Sequence, residues 1–110
     1  MNNNFVAVQV QPSPPEMVGR WTGSVGPYLM TLAINPDGTG MSCYSYGTAD
    51  VLGRIKYDGA QIQMQDGAKM KAYRSGDQLI ATTSYLGSKP MKFIQDNNLA
   101  SASPFCAKSL

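Results

Sequence analysis

The 110-residue chain carries nine Lys and Arg against seven Asp and Glu, has no His, and is 43% apolar but only 15% charged. A chain of this length fits one hydrophobic core and not two. So few charges, against the ~25% usual in soluble domains, suit sheets kept soluble by Ser, Thr, Asn, Gln and Gly. They argue against disorder, and a formal +2 argues against nucleic acid, which needs a dense basic patch.

Residues 1–15 read as an extended polar and Pro-rich segment, and residues 16–110 as a single β-barrel domain. The segment holds an alternating run of Val6, Val8 and Val10, then Gln11-Pro12-Ser13-Pro14-Pro15, which sheet ladders reject and which suits a linker or crossing strap. It lacks the basic start and long apolar stretch of an intact signal peptide. A polar Asn run before a Pro-rich stretch suits the tether of a secreted or lipid-anchored protein whose signal has been removed, with Met1 then in the signal's place. No apolar run approaches the ~20 residues of a membrane span, so no transmembrane segment is expected.

From Glu16 onward turn signals recur: Asn35-Pro36-Asp37-Gly38, Asp58-Gly59, Asp66-Gly67, Ser75-Gly76-Asp77, Gly87-Ser88 and Asp96-Asn97-Asn98. Asp-Gly and Ser-Gly pairs supply the positive φ of tight hairpins. Their spacing leaves room for short antiparallel strands and none for a helix of ordinary length. Strands are predicted over 21–25, 28–34, 38–46, 51–57, 60–65, 68–73, 78–85 and 90–95, with 99–106 a candidate ninth. Alternation points one face of each inward: Tyr28, Met30, Leu32 and Ile34; Ile62 and Met64; Ala68, Met70 and Ala72; Leu79, Ala81, Thr83 and Tyr85. The fold class is all-β, a single antiparallel meander of about eight short strands closing into a small barrel, since closure removes the two edges. A packed interior is favoured over a narrow cavity at this size.

Two cysteines, Cys43 and Cys106, stand far apart with no CxxC and no His, so the common zinc arrangements are out of reach and no metal is predicted. A Cys43–Cys106 disulfide in an oxidising compartment is the preferred reading, and two buried thiols in a cytosolic protein the alternative. Closure of the meander would make the pair neighbours.

Gly19-Arg20-Trp21, followed by Thr22-Gly23, resembles the GxW signature of lipocalins and the wider calycin group, and Asp37-Gly38-Thr39-Gly40 is similar to their second hairpin. The resemblance implies a lipocalin-like barrel in which Pro15 to Val18 form a 3₁₀ turn. Gly19 would end that turn, and Trp21 would open the first strand and close the barrel floor. Were the barrel a calycin-type carrier, Met30, Met64, Met70 and Tyr85 would line its cavity.

Catalysis finds little support. General acid–base chemistry most often uses His, which is absent; Asp37, Asp58, Asp66, Asp77 and Asp96 fall in predicted turns, where Asp caps the local backbone, leaving only Glu16 and Asp50. No GxSxG, SxxK or P-loop pattern occurs, and no cofactor is called for. Two functions remain. The first is a non-catalytic protein-binding module of the cell envelope or secreted space, periplasmic, outer-membrane-anchored or secreted, whose partner is another envelope or secreted protein. If Cys43 faces inward, Tyr44 and Tyr46 face outward, and with Arg54 and Lys56 they have an interface-like composition. The second is a calycin-type carrier of a small apolar ligand held by the adaptable methionines. The strand residues Arg54, Lys56, Lys69, Lys71 and Lys92 would form either a solvated face or a cationic one.

Overall fold

The computed structural model describes residues 3–25, 28–46, 49–65, 67–83 and 90–110. Eight strands run antiparallel in chain order around a closed barrel. They are β1 Gly19–Val25, β2 Tyr28–Ile34, β3 Thr39–Tyr46, β4 Ala49–Tyr57, β5 Ile62–Met64, β6 Lys69–Ser75, β7 Gln78–Thr83 and β8 Met91–Gln95. Closure comes from β1 on β8, with Trp21 opposite Gln95 and Thr22 opposite Ile94. The alternating residues point inward as the period-2 pattern requires. Trp21, Leu32, Ile62, Met70, Leu79 and Phe93 are 1% exposed or less and form the core with Met17, Met30, Ile34, Ile55 and Met64. The Gly87-Ser88 and Asp66 turn positions and Tyr85 lie outside the described residues.

One end of the barrel is sealed. A 3₁₀ turn, Pro15–Met17, lies under β1, and the Trp21 indole N–H donates to the Met17 carbonyl at 3.0 Å. The Arg74 guanidinium stands 5.7 Å from the centre of the same ring and donates to the Gly76 and Glu16 carbonyls. Gly19 holds φ +130°, a conformation side-chain-bearing residues avoid, and a Cβ there would come 2.8 Å from the Asn97 side-chain oxygen. The glycine of the signature is therefore fixed by both backbone and space.

The first fifteen residues are not extended throughout. Residues Asn3–Ala7 form a short helix, α1, and the anchoring side chain is Phe5, buried on the barrel wall, while Val6 and Val10 are exposed. The alternation of Val6, Val8 and Val10 is thus not a strand face. Further on, Gln11 N–H reaches the Tyr57 carbonyl and Ser13 N–H the Pro36 carbonyl. The residues just before Pro12 and Pro14 supply the donors the prolines lack.

The predicted ninth strand is replaced by a turn and a helix, α2 Pro104–Ser109. Ser103 caps it by accepting from the Cys106 N–H at 3.2 Å, and Pro104 at the first helical position loses no hydrogen bond there. The segment from Asp96 onward lies on the outer wall. Thr22 Oγ1 donates to Asp96 Oδ2 at 2.8 Å and pairs with Thr31 Oγ1 at 2.8 Å, and Ser45 Oγ meets Ser103 Oγ at 2.8 Å. Cys43 and Cys106 are joined, with Cα atoms 5.7 Å apart. The bond does not link two strands brought together by closure. It ties β3 to α2 outside the barrel, so Thr22, Thr31 and Cys43 on the outer faces of β1 to β3 are buried as well.

Candidate functional site

The end opposite Trp21 is built differently. β4 is nine residues long and β5 three, so only Ile55, Lys56 and Tyr57 of β4 find β5 partners. The ladder stops at Gln65, whose N–H donates to the Arg54 carbonyl at 3.0 Å and whose side-chain oxygen accepts from the Arg54 N–H at 3.2 Å. Beyond that clasp, residues 49–53 keep β3 on one side and face a slot on the other. A pocket of about 270 Å³ occupies the slot, lined by Ser42, Tyr44, Val51, Leu52, Gly53, Met64 and Gln65.

The rim beside the slot is aromatic. Tyr28 and Tyr44 meet edge to face with centroids 5.4 Å apart, and Tyr28 and Tyr46 lie at 5.3 Å. Tyr28 is 40% exposed, Tyr46 54% and Val51 43%, whereas Tyr44 packs against the core. Register explains the grouping: Met30 pairs with Tyr44, Tyr44 with Val51, and Tyr46 with Ala49, so all share the inward face. The expected arrangement of β3 is therefore reversed. Cys43 pairs with Thr31 and Leu52 on the outer face, which turns Tyr44 and Tyr46 toward the lumen and its mouth.

The structure separates the remaining predicted interface residues from these rings. Arg54 and Lys56 lie on the outer face of β4, where Lys56 Nζ donates to the Phe5 and Val8 carbonyls at 3.0 and 3.2 Å and stands 4.8 Å over the Phe5 ring. Lys56 fastens the N-terminal segment, and with Arg54 it borders a groove of about 540 Å³ between that segment and the wall. Lys69, Lys71 and Lys92 are exposed on the far wall. Met30, Met64 and Met70 are core residues, of which Met64 also lines the slot pocket.

Two carboxyls titrate below their ordinary value, both in turns away from the mouth. The Thr39 hydroxyl and N–H hold Asp37 down. At Asp58 partial burial acts upward but is outweighed by donors from Gln61, Gln63 and Ala60. The mouth itself offers rings, apolar surface and hydrogen-bonding backbone. No group of metal-holding side chains occurs among the described residues. Phe5, Thr22, Thr31, Asp96 and Arg74 were not legible as structural anchors in the sequence; the Ser103-Pro104 pair, a cap followed by proline, was the readable signal for α2.

Residues 2–110 match the family model of the bacterial lipocalin LPS transport optimiser YedD. The chain belongs to this family. Among solved structures, a lipoprotein YedD from Klebsiella pneumoniae is similar, with a TM-score of 0.70 and 16% identity over 96% of this chain and 90% of that chain. At that identity the likeness speaks for the fold alone, and it is the small lipocalin-like barrel that the GxW motif suggested. No curated protein matches the chain. A YedD-family barrel with a sealed Trp21 end and an open tyrosine end is thus the frame for function.

Proposed function

We propose that this chain is a non-catalytic accessory of lipopolysaccharide transport in the cell envelope, working by binding a protein partner at its aromatic mouth. The observation that carries this reading is the placement of Tyr28 and Tyr46, exposed and in ring contact, above an interior filled by Trp21, Leu32, Met70 and Phe93. Rigid amphipathic rings around a desolvated pocket are the composition of binding hot spots. The slot pocket beside the rings, about 270 Å³, has room for side chains of a partner. The family's description supplies the process, and the lipoprotein relative supports a lipid anchor in the native precursor and a place at an envelope membrane.

The test is a photo-crosslinking residue in place of Tyr46, in cells with the full native protein. Adducts with proteins of lipopolysaccharide transport are expected, and they should fall when Tyr28→Ala is added. Adducts with lipopolysaccharide alone would sink the protein-binding reading in favour of a carrier.

A further inference from the structure

We propose that the bare edge of β4 beside the mouth is a docking strand, and that its occupant is an extended segment of a partner protein that pairs with Asp50 and Leu52 as an added β-strand. The inference rests on the protein-binding reading above and names how the partner is held.

Backbone direction carries the argument. In a strand, N–H and C=O groups of alternate residues point to the same side. Both backbone groups of Arg54 point at Gln65, so those of Leu52 and Asp50 point the same way, past Gln65 and into the slot. No described residue meets them there. Sheet edges are ordinarily paired, covered or charged; this one sits in an otherwise closed barrel, and the described residues leave it uncovered for two donor–acceptor pairs.

Side chains fit the same occupant. Along an added strand they alternate between the two faces, and recognition by strand addition takes affinity from the ladder and specificity from pockets for every second residue. On the inner face the slot pocket lies between Tyr44, Val51 and Met64. On the outer face stands Leu52, 42% exposed, next to the Cys43 bridge. A segment with an apolar side chain turned into the pocket and another over Leu52 satisfies both. A lipid acyl chain could enter the pocket but has no groups for the backbone of Asp50 and Leu52.

The strand residue at 52 is the place to test it. Leu52→Pro deletes the N–H that faces the slot and leaves the β3 ladder intact, as proline is accepted on sheet edges; Leu52→Ala trims the side chain and keeps the N–H. With the crosslinker at Tyr46 in the full-length protein in cells, both variants lose the Leu52 side-chain contact, and Leu52→Pro should lower the adduct roughly tenfold further than Leu52→Ala, the worth of one or two hydrogen bonds. Crosslinkers at Val51 and at Leu52 should then mark residues adjacent in sequence within one partner segment. Should Leu52→Pro fail to fold, amide hydrogen exchange at Leu52 in the crosslinker-bearing protein with Leu52 intact serves instead, fast when free and slowed in the crosslinked complex.

Equal adducts from the Pro and Ala variants, or unprotected exchange at Leu52 in the complex, would overturn strand addition while leaving the mouth as a protein-binding site. Adducts only with lipid would overturn both. Adducts only with a second copy of this chain would also overturn the proposal, because the edge would then serve self-association.

Discussion

The two ends of this barrel use the same strands to opposite effect. At the Trp21 end every device closes: a 3₁₀ turn, an indole hydrogen bond, a guanidinium over the ring and a glycine that admits no side chain. At the tyrosine end β5 gives out before β4 does, and three rings stand around the gap. Stability is concentrated where apolar groups are fully enclosed, and binding capacity where they are only half enclosed.

Substitutions at the two ends should therefore separate. Trp21→Ala is expected to cost about 3 to 5 kcal/mol, as large aromatic truncations in cores do; denaturant melts will read it, and a loss under ~1 kcal/mol would mean that the sealed end does not carry the fold. The crosslink comes next. Cys43→Ala with Cys106→Ala frees a chain segment of separation 63, for which the chain-entropy estimate is about 4 kcal/mol, an upper guide because unfolded-state structure reduces it. Thermal melts with and without reductant should show the same drop in the parent protein and none in the double variant.

Smaller still is Thr22→Val, which takes one donor from the buried Asp96 and one partner from Thr31 and should cost about 1 to 3 kcal/mol. Tyr46→Ala at the mouth should change stability by no more than about 0.5 kcal/mol while reducing partner crosslinking, and a large loss of stability there would erase the contrast between the ends.

Acid acts on the turns near the sealed end. Asp58 has a folded-state pKa below its unfolded value, so its contribution is present above the unfolded pKa and is lost as pH falls through the folded one. Stability should decline below about pH 4, and Asp58→Asn should flatten part of that decline.

The sequence's legibility followed the same division. Where one face of a strand is dry and the other wet, alternation is enough: Gln61-Ile62-Gln63-Met64-Gln65 placed Ile62 and Met64 inside, and they are. In β3 the rule has nothing to hold. Met41 and Cys43 lie on one face and Tyr44 and Tyr46 on the other, and the outer face is covered by the chain's own C-terminal segment, so both faces carry apolar residues. The direction of the tyrosines, and with it the location of the site, depended on a contact some sixty residues away. The same remoteness hid Asp96, an ordinary turn aspartate by sequence, whose carboxylate is 5% exposed and bonded to Thr22 across the barrel seam. Lys56, one of the predicted interface cations, is likewise spent on carbonyls of the N-terminal segment that no local pattern connects to it.

The position of the bridge also bears on the chemistry of making the protein. Synthesis delivers Cys43 first and its partner 63 residues later, with no other cysteine in the chain. Within these 110 residues two thiols admit a single intramolecular pairing, so the bridge has no wrong isomer to reshuffle. Because Cys106 sits on α2, the bond takes its native geometry only with that helix docked on β3, and so it records the docking.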